Sequence, residues 1–346
     1  MNPSFQALAF ITRPVTKLAS EERAAWVELL NLHPENRRAF MSPAYAEAVA
    51  AVNASAVVLV GYANGKPICF LPLQRRPDWS GRLGVYEPIG GVMTDYFGLV
   101  AAPDLKIDIA KALRRSGLSV VAFTHLEAEQ LKHGLQGDNP RVGLQTHIEA
   151  PVDEFWSRLR KTDKKFVSDT ERRERKLVAD HGEIHFELES SSPDADLQTL
   201  IQMKCAQYER TDRQEAPLFA QRNVDLLFRL LDEKSAQCTG VLSTLKLGEK
   251  MVAGHFGLRC HETLHYWFPV YDPAYSTYAP GRILFRHVLQ SIAQKGVTLI
   301  DRGEGDTQAK RDFANREHLF YRGLWSVGGV AAVPARAALA LIWRLA

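Results

Sequence analysis

One order of patterns is written twice along this chain, and that duplication limits the fold more than any single motif does. In the first half, residues 56–62 and 67–73 are rich in strand formers and flank Asn64-Gly65, a pair whose backbone tolerates the positive φ of a tight hairpin turn. A segment with helical spacing at 105–116 and a compact apolar strand at 118–123 follow. In the second half, 241–247 and 251–258 flank Gly248-Glu249-Lys250 as a hairpin, 263–270 reads as a third strand, 282–295 as a helix and 297–301 as a strand. Subtracting 66 from 250 for the turn lysines gives 184, and subtracting 117 from 296 for the helix-ending glycines gives 179. The difference is one loop's worth of drift. The chain therefore reads as two copies of a mixed α/β unit, hairpin then helix then strand.

Composition agrees with two such units. A chain of 346 residues exceeds what one ordinary core organises, and 46% hydrophobic residues with 24% charged exclude disorder and collagen-like structure. The formal net charge of +3 is too near balance for a dedicated duplex-DNA binder. Cys69, Cys205, Cys238 and Cys260 form no CxxC pair, which suits small thiols in a reducing compartment. No charged segment followed by an apolar core and cleavage site stands at residues 1–18, so the expected location is cytoplasmic. The apolar tail 327–346 is broken by Pro334, Arg336 and Arg344 and is too short to span a bilayer.

Two helix starts are legible near the N-terminus, Ser20 as a cap before Glu21 and Glu22, and Ser42 before Pro43. Between the two copies, residues 152–182 carry Arg158, Arg160, Lys161, Lys164, Lys165, Arg172, Arg173, Arg175 and Lys176. From 162 to 176 the only large apolar side chains are Phe166 and Val167, so this stretch reads as a solvated basic helical arm, more simply a charged face than an anion-binding stripe.

Chemistry concentrates after the third strand of the second copy. Tyr266-Trp267-Phe268-Pro269-Val270-Tyr271 leads through Tyr275, Tyr278 and Pro280-Gly281 into a helix. Such a helix start exposes unpaired N–H groups to an anion, with Gly281 permitting close approach and Arg282 adding a cation. Beyond the next strand come Asp301, Arg302, Glu304, Asp306, Lys310 and Arg311, a density of ionisable groups at a strand end, which also suits a solvated loop with local ion pairs. Gly303-Glu304-Gly305 has no third glycine and opens no helix, so it is not a dinucleotide fingerprint. His255, Cys260, His261 and His265 fall on a meander whose alternation separates them, and no metal is expected. Neither a Gly-x-Ser-x-Gly elbow nor a GxxxxGK[ST] loop occurs.

Taken in order, Phe155-Trp156, Leu159-Arg160 and Lys165 entering the basic arm, Met251-Val252-Ala253-Gly254 in the second hairpin, Ala279-Pro280-Gly281 with Leu284, and Asp301, Gly303 and Gly305 followed by Lys310 resemble a FemAB-like acyltransferase of the GNAT superfamily. Within it they look like the acetyltransferase group associated with cellulose and other exopolysaccharide biosynthesis. The resemblance spans about residues 151–321, and residues 7–149 match only as a degenerate first copy. It implies an α/β (α+β) chain of tandem GNAT-like folds with mixed twisted sheets, joined by the basic helical arm. The expected domains are 1–150, an arm at 151–182, an acyltransferase domain at 183–330 and an amphipathic tail at 331–346.

The resemblance also implies direct transfer of an acyl group, acetyl in the simplest case, from acyl-CoA. Splayed strands at 266–270 and 297–301 would hold the thioester arm, with Val270, Tyr278, Pro280, Gly281 and Arg282 binding the donor and no metal required. Lys310 matches a lysine near the acyl carbonyl, where an ammonium would stabilise an oxyanion. Asp301, at the end of an apolar strand, is the candidate base, an ion pair with Arg302 or Lys310 being the competing role. Trp267, Tyr271, Arg302 and Glu304 are the expected acceptor residues, contacting a saccharide or amino sugar. Two other readings stay open: an aminoacyl-tRNA donor contacted by the basic arm, and a non-catalytic subunit of a polysaccharide assembly whose tail docks on the inner membrane face or a partner. The glycine-rich pyrophosphate loop of single-domain relatives is absent, and only Pro280-Gly281-Arg282 stands in its place.

Overall fold

The computed structural model describes residues 8–148, 151–212, 217–329 and 332–345. In chain order the elements are β1 (Ala9–Pro14), α1 (Ser20–Leu32), α2 (Pro43–Ala50), β2 (Ala56–Ala63), β3 (Lys66–Arg75), α3 (Trp79–Arg82), β4 (Val85–Pro88), β5 (Val100–Ala101), α4 (Ile109–Ser116), β6 (Val120–Glu127) and β7 (Asp138–His147). They continue with α5 (Val152–Thr162), α6 (Lys164–His181), β8 (Ile184–Glu187), α7 (Pro193–Arg210), α8 (Gln221–Asp232), β9 (Lys234–Ser235), β10 (Cys238–Leu247), β11 (Lys250–Cys260) and β12 (Thr263–Tyr271). The last are α9 (Pro280–Gln294), β13 (Leu299–Glu304), α10 (Gln308–Arg311), β14 (Arg316–Ser326) and α11 (Val333–Leu345). The chain divides into two units, Met1–Arg141 with Leu319–Ala346, and Val142–His318.

Each unit contains the same sheet. In the first the strand order is β1-β2-β3-β4-β6-β14, and in the second β8-β10-β11-β12-β13-β7. All neighbours are antiparallel except one pair in each, β4 with β6 and β12 with β13. The hairpins form where the turn residues require: Asn64 and Gly65 have φ of 51° and 78°, the doubly left-handed turn that matches strand twist. Ser42 caps α2 by accepting the Tyr45 N–H at 3.1 Å. Helix α1 begins at Ser20 itself rather than after it: the cap is Ala19, which has no side-chain oxygen to give, and its own N–H donates to Glu22 at 2.8 Å.

Domain boundaries differ from the sequence expectation. The strand closing each sheet comes from the other half of the sequence, β7 beside β13 and most of β14 beside β6, so neither copy is one continuous segment. Residues 151–182 are no solvated arm between domains. Phe155, Trp156, Phe166, Val167 and Leu177 are buried in the core of the second unit. They recur at helical spacing, so one narrow apolar stripe anchors two otherwise charged helices. Arg286 and Arg282 cover that stripe, their guanidinium carbons 5.0 Å from the Trp156 ring centre and 4.5 Å from that of Phe166. Helix α11 places Ala335 and Leu339 in the core of the first unit, a packed terminal helix. The tail positions Leu341, Ile342, Trp343 and Leu345 lie outside the residues whose side chains are described.

Candidate active site

The parallel pair in the second unit is short. β12 and β13 are in register only at Thr263 with Leu299, Leu264 with Ile300 and His265 with Asp301. Beyond that point β12 runs on to Tyr271 and β13 to Glu304 with no pairing between them, so the two strands diverge and their facing backbone groups need other partners. Pro269 sits in the diverging part, where a missing N–H costs no ladder bond, and its carbonyl accepts the Lys204 ammonium at 2.8 Å. A cleft of 390 Å³ opens there, lined among others by Tyr266, Val270, Tyr271, Gly281, Arg282 and Arg302.

Helix α9 delivers its N-terminus to the mouth of this cleft. Its cap, Ala279, is left-handed at φ 52° and ψ 53°, a conformation a non-glycine residue adopts only when the surrounding structure enforces it. Pro280 has no N–H, and the Gly281 N–H lies in the first turn, where helix geometry supplies no acceptor. A Cβ at Gly281 would stand 3.6 Å from the Tyr271 ring, so glycine here is a matter of open space rather than strain.

The expected donor residues divide. Val270, Gly281 and Arg282 line the cleft, whereas Pro280 is buried and Tyr278 faces away, donating its hydroxyl to Asp180 at 2.8 Å. Arg282 is not a free cation, since it lies 3.2 Å from Asp169 and 3.8 Å from Asp312. Asp169 also takes Arg173 and Arg172, which hold its carboxyl down at about 2. Of the acceptor residues, Tyr271 and Arg302 line the cleft, while Trp267 packs on Phe268 with ring centres 4.4 Å apart and Glu304 lies outside the lining.

Neither expected catalytic residue reaches the cleft. Asp301 is 1% exposed. Its carboxylate accepts the Gln145 amide at 2.6 Å and the Gly303 N–H at 2.7 Å, with His318 at 3.4 Å and His265 at 3.6 Å. The Lys310 ammonium donates to the carbonyls of Glu304 at 2.7 Å and Gly303 at 3.4 Å, tying the end of β13 to α10.

Sequence reasoning missed the group that sets the floor of the cleft. Tyr266 is 4% exposed, stacked on His255 with ring centres 3.8 Å apart, and set edge-on to Phe285 at 5.0 Å. Burial pushes its phenol well above the ordinary range. Burial, with His265 nearby, pushes the His255 imidazole well below its own. Lys204 and Gln207 reach the cleft from α7, a helix that carries no motif in the sequence. Among the described residues, no group of three or more His, Cys, Asp or Glu side chains is arranged to hold a metal ion.

Comparison with known proteins agrees with this geometry. Residues 164–311 match the sequence profile of the acetyltransferase (GNAT) domain family. No curated protein matches the chain. Among solved structures, FemX is 10% identical, with a TM-score of 0.61 over 94% of this chain and 99% of its own. The C-terminal domain of a putative lysylphosphatidylglycerol synthetase from Agrobacterium fabrum is 13% identical, with a TM-score of 0.55 over 93% and 96%. A tandem GNAT protein from the clavulanic acid biosynthesis pathway is 12% identical, with a TM-score of 0.51 over 93% and 99%. At such identities the likeness is one of fold, and it coincides with the duplication, the single parallel pair per sheet and the splay beside α9. The chain has a GNAT-superfamily, FemAB-like fold, with an acetyltransferase (GNAT) domain match at residues 164–311.

Proposed function

We propose that the second unit transfers an acyl group directly from an acyl-coenzyme A thioester to an amine or hydroxyl of a saccharide-class acceptor. The observation carrying this reading is the separation of β12 from β13 after His265 and Asp301, which leaves strand backbone unpaired along a cleft with a helix N-terminus at its mouth. An extended arm bearing amides is the natural complement of an unpaired strand edge, because it pairs with the backbone as an added strand would. The Gly281 N–H is placed for an anionic oxygen.

The residues present fit such a donor. Val270 and Tyr271 would line its arm, Gly281 would admit its charged head, and Phe285 and Phe313 would exclude water around the reacting end. The thioester supplies an activated acyl carbon. Arg282 takes a lesser part than its position suggests, since Asp169 and Asp312 already answer its charge. A saccharide acceptor rests on the exposed ring of Tyr271, 39% accessible at the cleft edge. The same reading places the reaction where coenzyme A thioesters are made, in the cytoplasm. Among the described residues no helix is long and apolar enough to cross a membrane.

An aminoacyl-tRNA donor draws less support, because the basic helices spend part of their charge internally: Arg160 on Glu171, and Arg172 and Arg173 on Asp169. Titration calorimetry of the full chain with acetyl-coenzyme A, followed by coenzyme A release with amino-sugar acceptors, tests the proposal. Micromolar binding and acceptor-dependent release are expected. No binding, and no release with any acceptor, would overturn it in favour of the tRNA-dependent or non-catalytic readings.

A further inference from the structure

At the deep end of the cleft stands a cation with no carboxylate of the described residues within ion-pair distance, Asp312 acting on its charge only from farther off. Arg302 is one residue past the last paired position of β12 and β13. Its Nη1 donates to the carbonyls of Ala309 at 2.7 Å and Lys310 at 3.2 Å. The guanidinium lies 4.5 Å from the Phe285 ring centre and 6.0 Å from that of Tyr266. Among the described residues its Nε and Nη2 meet no acceptor, and no carboxylate comes within ion-pair distance of it. The acid lining the same cleft, Asp312, is engaged by Gln308 at 2.7 Å and Arg282 at 3.8 Å. Burial lowers the affinity of Arg302 for its proton, yet a guanidinium keeps its charge under any physiological condition. A half-buried charge in this state is costly unless something else pairs with it.

A second observation points to the same place. The Tyr266 hydroxyl is fully buried, lies beside Arg302 in the cleft wall, and has no hydrogen-bond partner among the described residues. As a protonated phenol it offers a donor. An unspent guanidinium edge next to an unspent hydroxyl donor is the complement of a carboxylate, which brings one negative charge and two acceptor oxygens. A role confined to holding α10 would need only the Nη1 contacts, and a lysine could make those.

We propose that the deep end of the cleft binds a carboxylate of the substrate, with Arg302 pairing its charge and Tyr266 donating a hydrogen bond to it. The carboxylate belongs to the transferred acyl group or to the acceptor. The inference rests on the acyl-transfer reading for its enzymatic meaning, but the site can be probed without the donor. Titration of the full chain with glutarate should show binding that weakens about tenfold or more in Arg302→Met, less in Tyr266→Phe, and is partly kept in Arg302→Lys, with circular dichroism confirming the fold of each.

Turnover then identifies the source. A preference for succinyl- over acetyl-coenzyme A, abolished in Arg302→Met, assigns the carboxylate to the acyl group. A preference for the uronic acid form of an amino sugar, glucosaminuronate, over glucosamine, abolished likewise, assigns it to the acceptor. If glutarate binds in an Arg302-dependent way and coenzyme A does not bind, the carboxylate site stands and the transferase reading falls. If coenzyme A binds while glutarate does not, or binds Arg302→Met equally well, the carboxylate site is refuted and the transferase reading stands.

Discussion

Removing the Asp301 carboxylate should destabilise the second unit far more than it disturbs any chemistry. Its oxygens already accept from Gln145 and Gly303 at 2.6 and 2.7 Å, and the residue is 1% exposed and outside the cleft lining. Asp301→Ala leaves a buried amide and a buried backbone N–H without acceptors, each costing about 1–3 kcal/mol. It also strips His265 and His318 of the carboxylate between them. Losing one partner of a buried charged network costs about 3–5 kcal/mol in all. For a unit of this size that corresponds to a fall in Tm of about 6–20 °C. Asp301→Asn keeps the shape and one acceptor oxygen, and should lose about 1–2 kcal/mol.

Calorimetric or fluorescence melting of the two variants, paired with coenzyme A release at a temperature where both remain folded, separates the alternatives. A general base contributes about 10²–10⁴ in rate, so a base at this position would make Asp301→Asn nearly inactive with little change in Tm. The burial argument expects the reverse: a clear loss of Tm for Asp301→Ala and a rate for Asp301→Asn within about tenfold of the parent. A melting temperature unchanged in Asp301→Ala, with turnover abolished, would refute it.

Other expectations follow from the same geometry. Because burial holds His255 below its ordinary value, the unfolded chain takes up a proton as pH falls through about 6.5 and the folded chain does not, so stability drops by up to about 1.4 kcal/mol per pH unit; His255→Phe, which keeps the stack on Tyr266, should flatten Tm between pH 7.5 and 5.5, and an unchanged slope would count against the burial. Lys310→Ala, losing two backbone contacts outside the cleft, should cost about 1 kcal/mol and less than tenfold in kcat, whereas a drop of about a thousandfold would put the ammonium at the reacting carbonyl. Gly281→Ala should be tolerated beside Tyr271, while Gly281→Leu should raise the donor KM with Tm unchanged; equal KM values would remove the donor from the mouth of α9. Phe97→Ala in the first unit should cost about 3–5 kcal/mol and leave donor binding untouched, and weakened binding would mean that the two units share the reaction.

The duplication was legible because it depends on patterns that a sequence states openly: paired runs of strand-forming residues in β2, β3, β10 and β11, a left-handed turn at Asn64-Gly65, and glycines after α4 and α9. The exchange of closing strands between the two halves was not, since β7 and β14 look alike as strands and nothing local tells either which sheet edge to join. The buried face of α5 and α6 was hidden by charge density. Phe166 and Val167 look isolated until the helix turns them onto the same line as Phe155, Trp156 and Leu177. At the site, the sequence singled out Tyr271, Gly281, Arg282 and Arg302, which line the cleft, together with Asp301 and Lys310, which do not, because a run of ionisable residues does not say which of them the next strand will cover. Gln145, from the strand supplied by the other half of the sequence, is what makes Asp301 an interior group.

Why the fork between the parallel strands is filled differently in the two copies of the sheet follows from what comes after each parallel pair. In the second unit β12 runs on past its last partner, and the chain leaves for the α9 N-terminus. In the first, β4 pairs with β6 at Val85 with Val120 and Tyr86 with Val121, and then ends at Pro88. The chain returns to β6 at Phe97, which bridges Leu126 in parallel and donates its N–H to the His125 carbonyl at 2.9 Å. Phe97 is 1% exposed, and its ring lies 5.5 Å from Phe123 and 5.3 Å from Trp325. Backbone and side chain together refill the gap that the second unit leaves open. The next α-helix of that unit, α4, begins at Ile109 with no glycine in its first turn, after an Asp108 cap that already satisfies the Lys111 N–H. The first copy thus keeps the sheet order and the single parallel pair while spending the space between them on aromatic packing, so the two repeats of one architecture differ in what occupies the fork between their parallel strands.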